Sequence, residues 1–448
     1  MVGHGSNLAR RPPPVRGRAG GSRSTLQGSA VLERASMVAA VAVFSVAYLA
    51  VAAGRLPFLS LDRPSAALLG AALMVATGVL TPREAGAAVN GDTLGLLLGM
   101  MILSAYLAEA RFFRWTSFRI LQAVRTPRAL LWAVVLAGGA LSALLVNDTV
   151  CVMVTPIVLR VVEDAELPPL PYLLALAFGS NAGSVATLTG NPQNMIVGTL
   201  SGISYADFAS ALALPALASL AVVALVLQLV FRGELPRRAL APTRVAPPVL
   251  DRRLLARALG ATALAVAGFL AGFPLSWTAL FAAALCMAVA GPAPREALQR
   301  VDWPLLVFFA GLFVIVAGVG RSGVAAAMYE AVAPALGEGA ARQALVFGGF
   351  AVAASQVVSN VPFVVLAGEW IPRLAEPRLL WLATALASTL AGNLTIVGSV
   401  ANLIVLEQAG SRAGIGFWRF FRIGALVTAA TLAVSFAILF AERAAGLV

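Results

Sequence analysis

Polar, backbone-breaking residues set inside apolar runs of membrane-spanning length limit this chain more than any other feature. The stretch from Val146 to Gly198 carries amides, hydroxyls, glycines and one carboxylate within hydrophobic surroundings. Hydrocarbon offers no partner for a free N–H or C=O, so interrupted helices survive there only inside protein or beside a watery cavity. Two interruptions are predicted, at Asn147-Asp148-Thr149 and from Thr187 to Asn194. A comparable pair follows near the C-terminus, at Ser359-Asn360-Val361-Pro362 and from Thr395 to Asn402. Paired interruptions in corresponding places point to a transport site.

Composition agrees with a membrane protein, since 60% of residues are hydrophobic and 12% charged, against roughly 25% charged in soluble domains. A length of 448 residues is therefore divided by the ~20 residues of a spanning helix. The net charge of +12 comes from arginines scattered over short loops, which read as topology signals and lipid contacts and exclude a nucleic-acid partner. Cys151 and Cys286 lie in apolar segments of different halves, giving no disulfide framework and no metal spacing, and His4 is the one histidine.

The segments divide into a Gly/Ser/Pro/Arg tract at 1–36, expected to be disordered and consistent with a misassigned start, then a first transmembrane repeat at 37–231. An Arg/Pro-rich cytoplasmic linker at 232–254, a second repeat at 255–441 and a tail at 442–448 complete the chain. Each repeat reads as three spans, a re-entrant helical hairpin, a long broken helix and a final span. A shift of 208 residues lays Leu174 on Leu382, with 9 of 24 positions identical, among them Thr187/Thr395, Gly190/Gly398 and Asn194/Asn402. Five full spans per repeat is an odd number, so the expected fold is an all-α polytopic membrane protein of two inverted repeats. With the N-terminus outside, 20 of the 32 arginines fall on the cytoplasmic face. RFFRWTSFRILQAVRTPR at 111–128 is expected to lie along that interface, with a weaker second-half match at 411–424.

Half-helices ending in mid-membrane leave unpaired N–H and C=O groups that suit anions and cations respectively. The candidate substrate residues are Asn147, Asp148, Thr149, Thr187, Asn191 and Asn194 in the first half, and Ser359, Asn360, Thr395 and Asn402 in the second. Ion coupling is assigned to Asp148, Thr189, Gly190, Val397 and Gly398. Of the 20 acids, Asp148 alone sits well inside an apolar hairpin, and a buried carboxylate is a functional candidate by default. Its repeat partner is Val361, so the two hairpins are expected to differ.

NDTVCVMVTP, LALAFGSNAGSVATLTGNPQNMIVG, SNVPFVV and LASTLAGNLTIVGSVANLIV resemble the ion transporter superfamily, in particular the citrate-transporter-like permeases. Those include arsenite and antimonite efflux permeases and divalent-anion/sodium symporters, and the resemblance spans about residues 40–441. In the symporters a Ser-Asn-Thr triplet at each hairpin tip binds a carboxylate substrate, and backbone carbonyls hold sodium. Asn147 and Ser359-Asn360 match that triplet, whereas Val146, Asp148 and Val361 depart from it. The Asn-Asp tip is closer to the arsenite-efflux branch, which implies proton coupling. The family further implies a homodimer and elevator-like motion.

The expected function is secondary active transport of a small anion or oxyanion, arsenite-like, inorganic or a di- or tricarboxylate, across the cell membrane, coupled to H+ or Na+, with no cofactor beyond a bound Na+. A cation/proton antiporter is the alternative, and a passive anion channel follows. An intramembrane enzyme is disfavoured, because one acid and no histidine inside the membrane cannot supply an aspartyl dyad, a serine base or a metal site.

Overall fold

The computed structural model describes residues 37–47, 49–50, 62–235, 239–240, 248–291 and 294–448. The expectations for residues 1–36 and for linker residues 236–238 and 241–247 lie outside the described residues. Among the described residues all regular structure is helical.

In chain order the first half comprises α1 (Met37–Ala47), α2 (Arg63–Ala76), α3 (Pro82–Ala88), α4 (Gly91–Glu109) and α5 (Phe112–Ala123), then α6 (Pro127–Leu144), α7 (Asn147–Asp164), α8 (Pro169–Ser184), α9 (Pro192–Ser201) and α10 (Tyr205–Val230). The second half repeats the order with α11 (Arg252–Leu270), α12 (Leu275–Val289), α13 (Pro294–Gln299), α14 (Trp303–Arg321) and α15 (Val324–Leu336), then α16 (Ala340–Val358), α17 (Asn360–Ala367), α18 (Pro377–Ala391), α19 (Val400–Ala409) and α20 (Phe417–Ala444). Among the described residues seven helices, α4, α6, α10, α11, α14, α16 and α20, are long and apolar enough to cross a membrane. The chain is a multi-pass membrane protein.

Packing follows the repeat. Helix α4 lies on α12 and α14 on α2, while α6 lies on α8 and α16 on α18. The last helices, α10 and α20, pack on one another, and each hairpin's second arm reaches across, α7 to α19 and α17 to α9. Exchanging the halves maps these pairings onto one another. Small residues permit the closest contacts: a Cβ on Gly183 of α8 would lie 2.2 Å from the Gly139 carbonyl of α6, the packing use expected of small-xxx-small spacing.

The hairpins turn on very few residues. Helix α6 starts at Pro127, its cap Thr126 accepting from the Ala129 N–H at 3.2 Å, and the chain reverses through Leu145 and Val146, both extended. In α7, Pro156 lacks the N–H that the Val152 carbonyl needs. Gln408 of α19 supplies the substitute, its Nε2 donating to the Val152 oxygen at 3.2 Å. The second hairpin turns on Ser359 alone, at φ +69° and ψ 162°, a conformation almost confined to glycine.

One expectation is corrected. The 411–424 stretch is not the counterpart of α5, because residues 417–424 open the 28-residue α20, and α15 occupies the place of α5 in the order of elements. Arginine and aromatic residues there mark the membrane end of a span, where such side chains also collect; Trp418 is 69% exposed.

Candidate functional site

Both broken helices are held by the same device. Helix α8 ends at Ser184 and α18 at Ala391, leaving terminal carbonyls without helical partners. Asn194 Nδ2 donates to the Ser184 and Thr187 carbonyls, each at 3.0 Å. Asn402 Nδ2 does the same for Gly392, at 2.7 Å, and Thr395, at 3.0 Å. Each amide thus closes a ten-residue crossover, and both of its hydrogens are committed. Glycine is required beside the first staple, where a Cβ on Gly190 would meet the Ser184 oxygen at 2.2 Å, and fits a tight space beside the second, where one on Gly398 would lie 3.1 Å from the Gly392 oxygen. The following half-helices are capped locally, α9 by Asn191 Oδ1 on the Asn194 N–H at 2.8 Å and α19 by Ser399 Oγ on the Ala401 N–H at 3.2 Å.

The staples meet across the repeat. Asn194 Oδ1 accepts from Thr389 Oγ1 of α18 at 3.4 Å, and Asn402 Oδ1 from Asn181 Nδ2 of α8 at 3.3 Å. Residues 181 and 389 correspond under the 208-residue shift. Asn181 is the hub: its Oδ1 accepts from Asn147 Nδ2 at 3.1 Å and Ser399 Oγ at 3.0 Å, and its Nδ2 also donates to Asn393 Oδ1 at 2.9 Å. Ser184 extends the network, donating to the Asn181 carbonyl at 2.9 Å and accepting from Asn191 Nδ2 at 2.9 Å. Asn191 Nδ2 also reaches Thr389 Oγ1, at 3.3 Å. One connected polar centre therefore joins the first hairpin tip to both broken helices.

The expected site residues divide by their place in this centre. Asn147, Asn191, Asn194 and Asn402 belong to it directly. Thr187 Oγ1 donates to the Ala143 carbonyl of α6, and Thr395 Oγ1 to Gln356 Oε1 of α16 at 2.8 Å, tying each crossover to the hairpin of its own half. Thr189 is buried against Tyr205, oxygen to oxygen 3.3 Å, whereas Val397 is 48% exposed and offers only its backbone. Asp148 stands in the first turn of α7 and is 8% exposed, and among the described residues its carboxylate receives no hydrogen bond. Its own N–H is taken by Asn147 Oδ1 at 2.9 Å. Thr149 is half-buried, and the Asn360 Oδ1 atom at the second tip is buried without a partner. Ser359, half-buried, forms the turn itself.

Asn181, Thr389, Asn393 and Gln356 are the residues that sequence reading missed. Their signal was a polar side chain within apolar text, and a buried polar group must find partners. An apolar cavity of about 210 Å³ lies behind the second hairpin among Phe44, Val316, Phe350 and Phe363, and gives a polar solute nothing to bind.

Two hairpins whose second arms each pack on a broken helix of the other half, around a polar centre in a many-helix apolar body, define a membrane transporter. The sequence relationships narrow this class. Residues 40–383 match the citrate transporter family, and the chain belongs to that family. It is 30% identical over 431 residues to the silicon efflux transporter LSI3 of Oryza sativa subsp. japonica, covering 82% of this chain and 89% of the relative. It is 31% identical to an uncharacterized transporter of Mycobacterium bovis, covering 89% and 96%. The fold is similar to that of the Alcanivorax borkumensis YdaH transporter, with a TM-score of 0.62 at 16% identity over 92% of this chain and 99% of that one.

Proposed function

We propose that this protein is a secondary active transporter of a small inorganic oxyanion or its parent oxyacid, coupled to H+ or Na+, in the cell membrane. The supporting observation is the connected amide centre shared by both halves, with the unpartnered Asp148 carboxylate beside Asn147. Among the described residues no arginine or histidine joins this centre, so a solute is held by amides, hydroxyls and helix ends. The similarity to a silicon efflux transporter makes silicic acid and arsenite the first solutes to test.

Asp148 is the coupling group. A carboxylate at this depth is expensive to keep charged and unpaired, so proton uptake or cation binding there links an ion gradient to solute movement. The backbone carbonyls at Thr189-Gly190 and Val397-Gly398 are the candidate ligands for a coupling Na+. The halves are read as inverted, and the working unit as a homodimer whose hairpin-bearing parts move against the rest. A cation/proton antiporter is the second reading, favoured by Asp148 having no basic partner among the described residues.

Proteoliposome flux tests this. Arsenite or silicic acid should accumulate against its gradient while a proton or sodium gradient is imposed, and an ionophore that collapses the gradient should abolish accumulation. Downhill flux indifferent to the ionophore would mean a channel; cation exchange without solute flux would mean the antiporter.

A further inference from the structure

The hydrogen-bond network fixes which way the Asn393 amide faces. Both hydrogens of Asn402 Nδ2 are taken by the Gly392 and Thr395 carbonyls, so Asn402 can present only Oδ1 to Asn181. Asn181 must then turn Nδ2 toward it, and the same nitrogen meets Asn393 at 2.9 Å, which requires Oδ1 of Asn393 on that side. The other face of Asn181 agrees, since its Oδ1 accepts from Asn147 and Ser399. Asn393 Nδ2 is therefore directed away from the network by hydrogen-bond logic, independent of how an amide is drawn.

That nitrogen has no partner, and Asn393 is 0% exposed. Buried donors left unpaired are rare enough that each calls for a reason. The fold does not supply one: the corresponding first-half position, under the 208-residue shift, is Val185, equally buried and without any donor. Asn393 lies two hydrogen bonds from Asn147, whose neighbour Asp148 carries the unpartnered carboxylate.

We infer that Asn393 is a solute-binding residue, its Nδ2–H donating to a lone-pair oxygen of the transported oxyanion or oxyacid. This rests on the polar centre being the solute site. An N–H donor opposes a bare cation, so the position selects the oxygen-bearing solute and takes no part in holding a coupling ion.

Asn393→Leu removes the donor at similar size, together with the Oδ1 that accepts from Asn181, which keeps its bond to Asn402, and Asn393→Ser keeps a shorter donor. In proteoliposomes, arsenite and silicic acid uptake by Asn393→Leu is expected to show a KM raised about 10-fold with little change in maximal rate. Asn393→Ser should fall between leucine and the native residue. The dependence on the driving-ion concentration should be the same in all three proteins, which a general distortion of the centre would not leave intact. Should leucine fail to fold, the serine protein decides alone: a KM within twofold of native overturns the inference, as does a native KM in the leucine protein. Absence of saturable uptake of either solute by the native protein would instead defeat the reading of the centre on which the inference rests.

Discussion

The two crossovers are built alike and finished differently. Asn194 and Asn402 each donate to two carbonyls of their own crossover, at matching positions and nearly matching distances. Around this shared frame the side chains diverge: Asn181 faces Thr389, Val185 faces Asn393, Asp148 has Val361 as its counterpart, and Thr189 has Val397. The first crossover is sealed, with Thr189 at 0% exposure, whereas the second leaves Val397 at 48%. The difference separates two kinds of work. Residues repeated in both halves hold the backbone together, and residues present in one half only are free to serve a solute or an ion.

The largest expected effect lies at the most unequal pair. Asp148→Asn should abolish gradient-driven accumulation of arsenite or silicic acid while leaving solute counterflow measurable, and Val361→Asp should not restore accumulation in that background. Coupling that persists with unchanged pH and Na+ dependence in Asp148→Asn would remove this residue from its role.

Next come the equal pair. Asn194→Ala and Asn402→Ala each remove two buried amide donors from a crossover whose Thr187 and Thr395 carbonyls keep only the Gly190 and Gly398 N–H and whose Ser184 carbonyl keeps only Asn191 Nδ2, so each should lower stability by about 1–3 kcal/mol. Thermal denaturation in detergent should show both proteins shifted by similar amounts. A large shift in one and none in the other would break the claim that the staples do the same job.

Gln408 offers a smaller effect confined to the first hairpin. Gln408→Leu leaves the Val152 carbonyl unpaired at a cost of about 1–2 kcal/mol. Pro156→Ala restores a backbone donor, so the double variant should recover stability relative to Gln408→Leu alone. No recovery would show that Gln408 acts through something other than the proline gap.

The smallest effect tests the two turns. Ser359→Gly should stabilise by about 1 kcal/mol by relieving a left-handed backbone, whereas Val146→Gly, at φ −60°, should destabilise by a similar amount. Thermal midpoints of equal sign would mean that the Ser359 conformation carries no strain.

Much of this architecture was legible beforehand because membrane proteins cannot hide broken backbone. The glycine, threonine and asparagine matches between the crossovers marked the repeat, and Asp148 stood out as an acid in an apolar hairpin. Asn181, Thr389 and Asn393 were harder to find. Helix α8 is buried on every side and has no apolar stripe, so periodicity does not single out Asn181, and although α18 is amphipathic in sequence, its polar residues Thr384, Ser388 and Thr389 are all buried as well. Gln408 could not be assigned either, since the carbonyl it satisfies is 256 residues away. The place of α15 was obscured by its Ala-rich sequence, which lacks the Arg and Trp that mark α5.

The central claim, that the half-specific residues around a shared frame form the solute site, is tested most directly by locating the solute. Crystals of the protein soaked with arsenite should give an anomalous arsenic peak within hydrogen-bond reach of Asn393 Nδ2, on the side of the centre that carries Asp148. An arsenic peak confined to the outer surface or to the apolar cavity behind the second hairpin, from protein that transports arsenite, would contradict it.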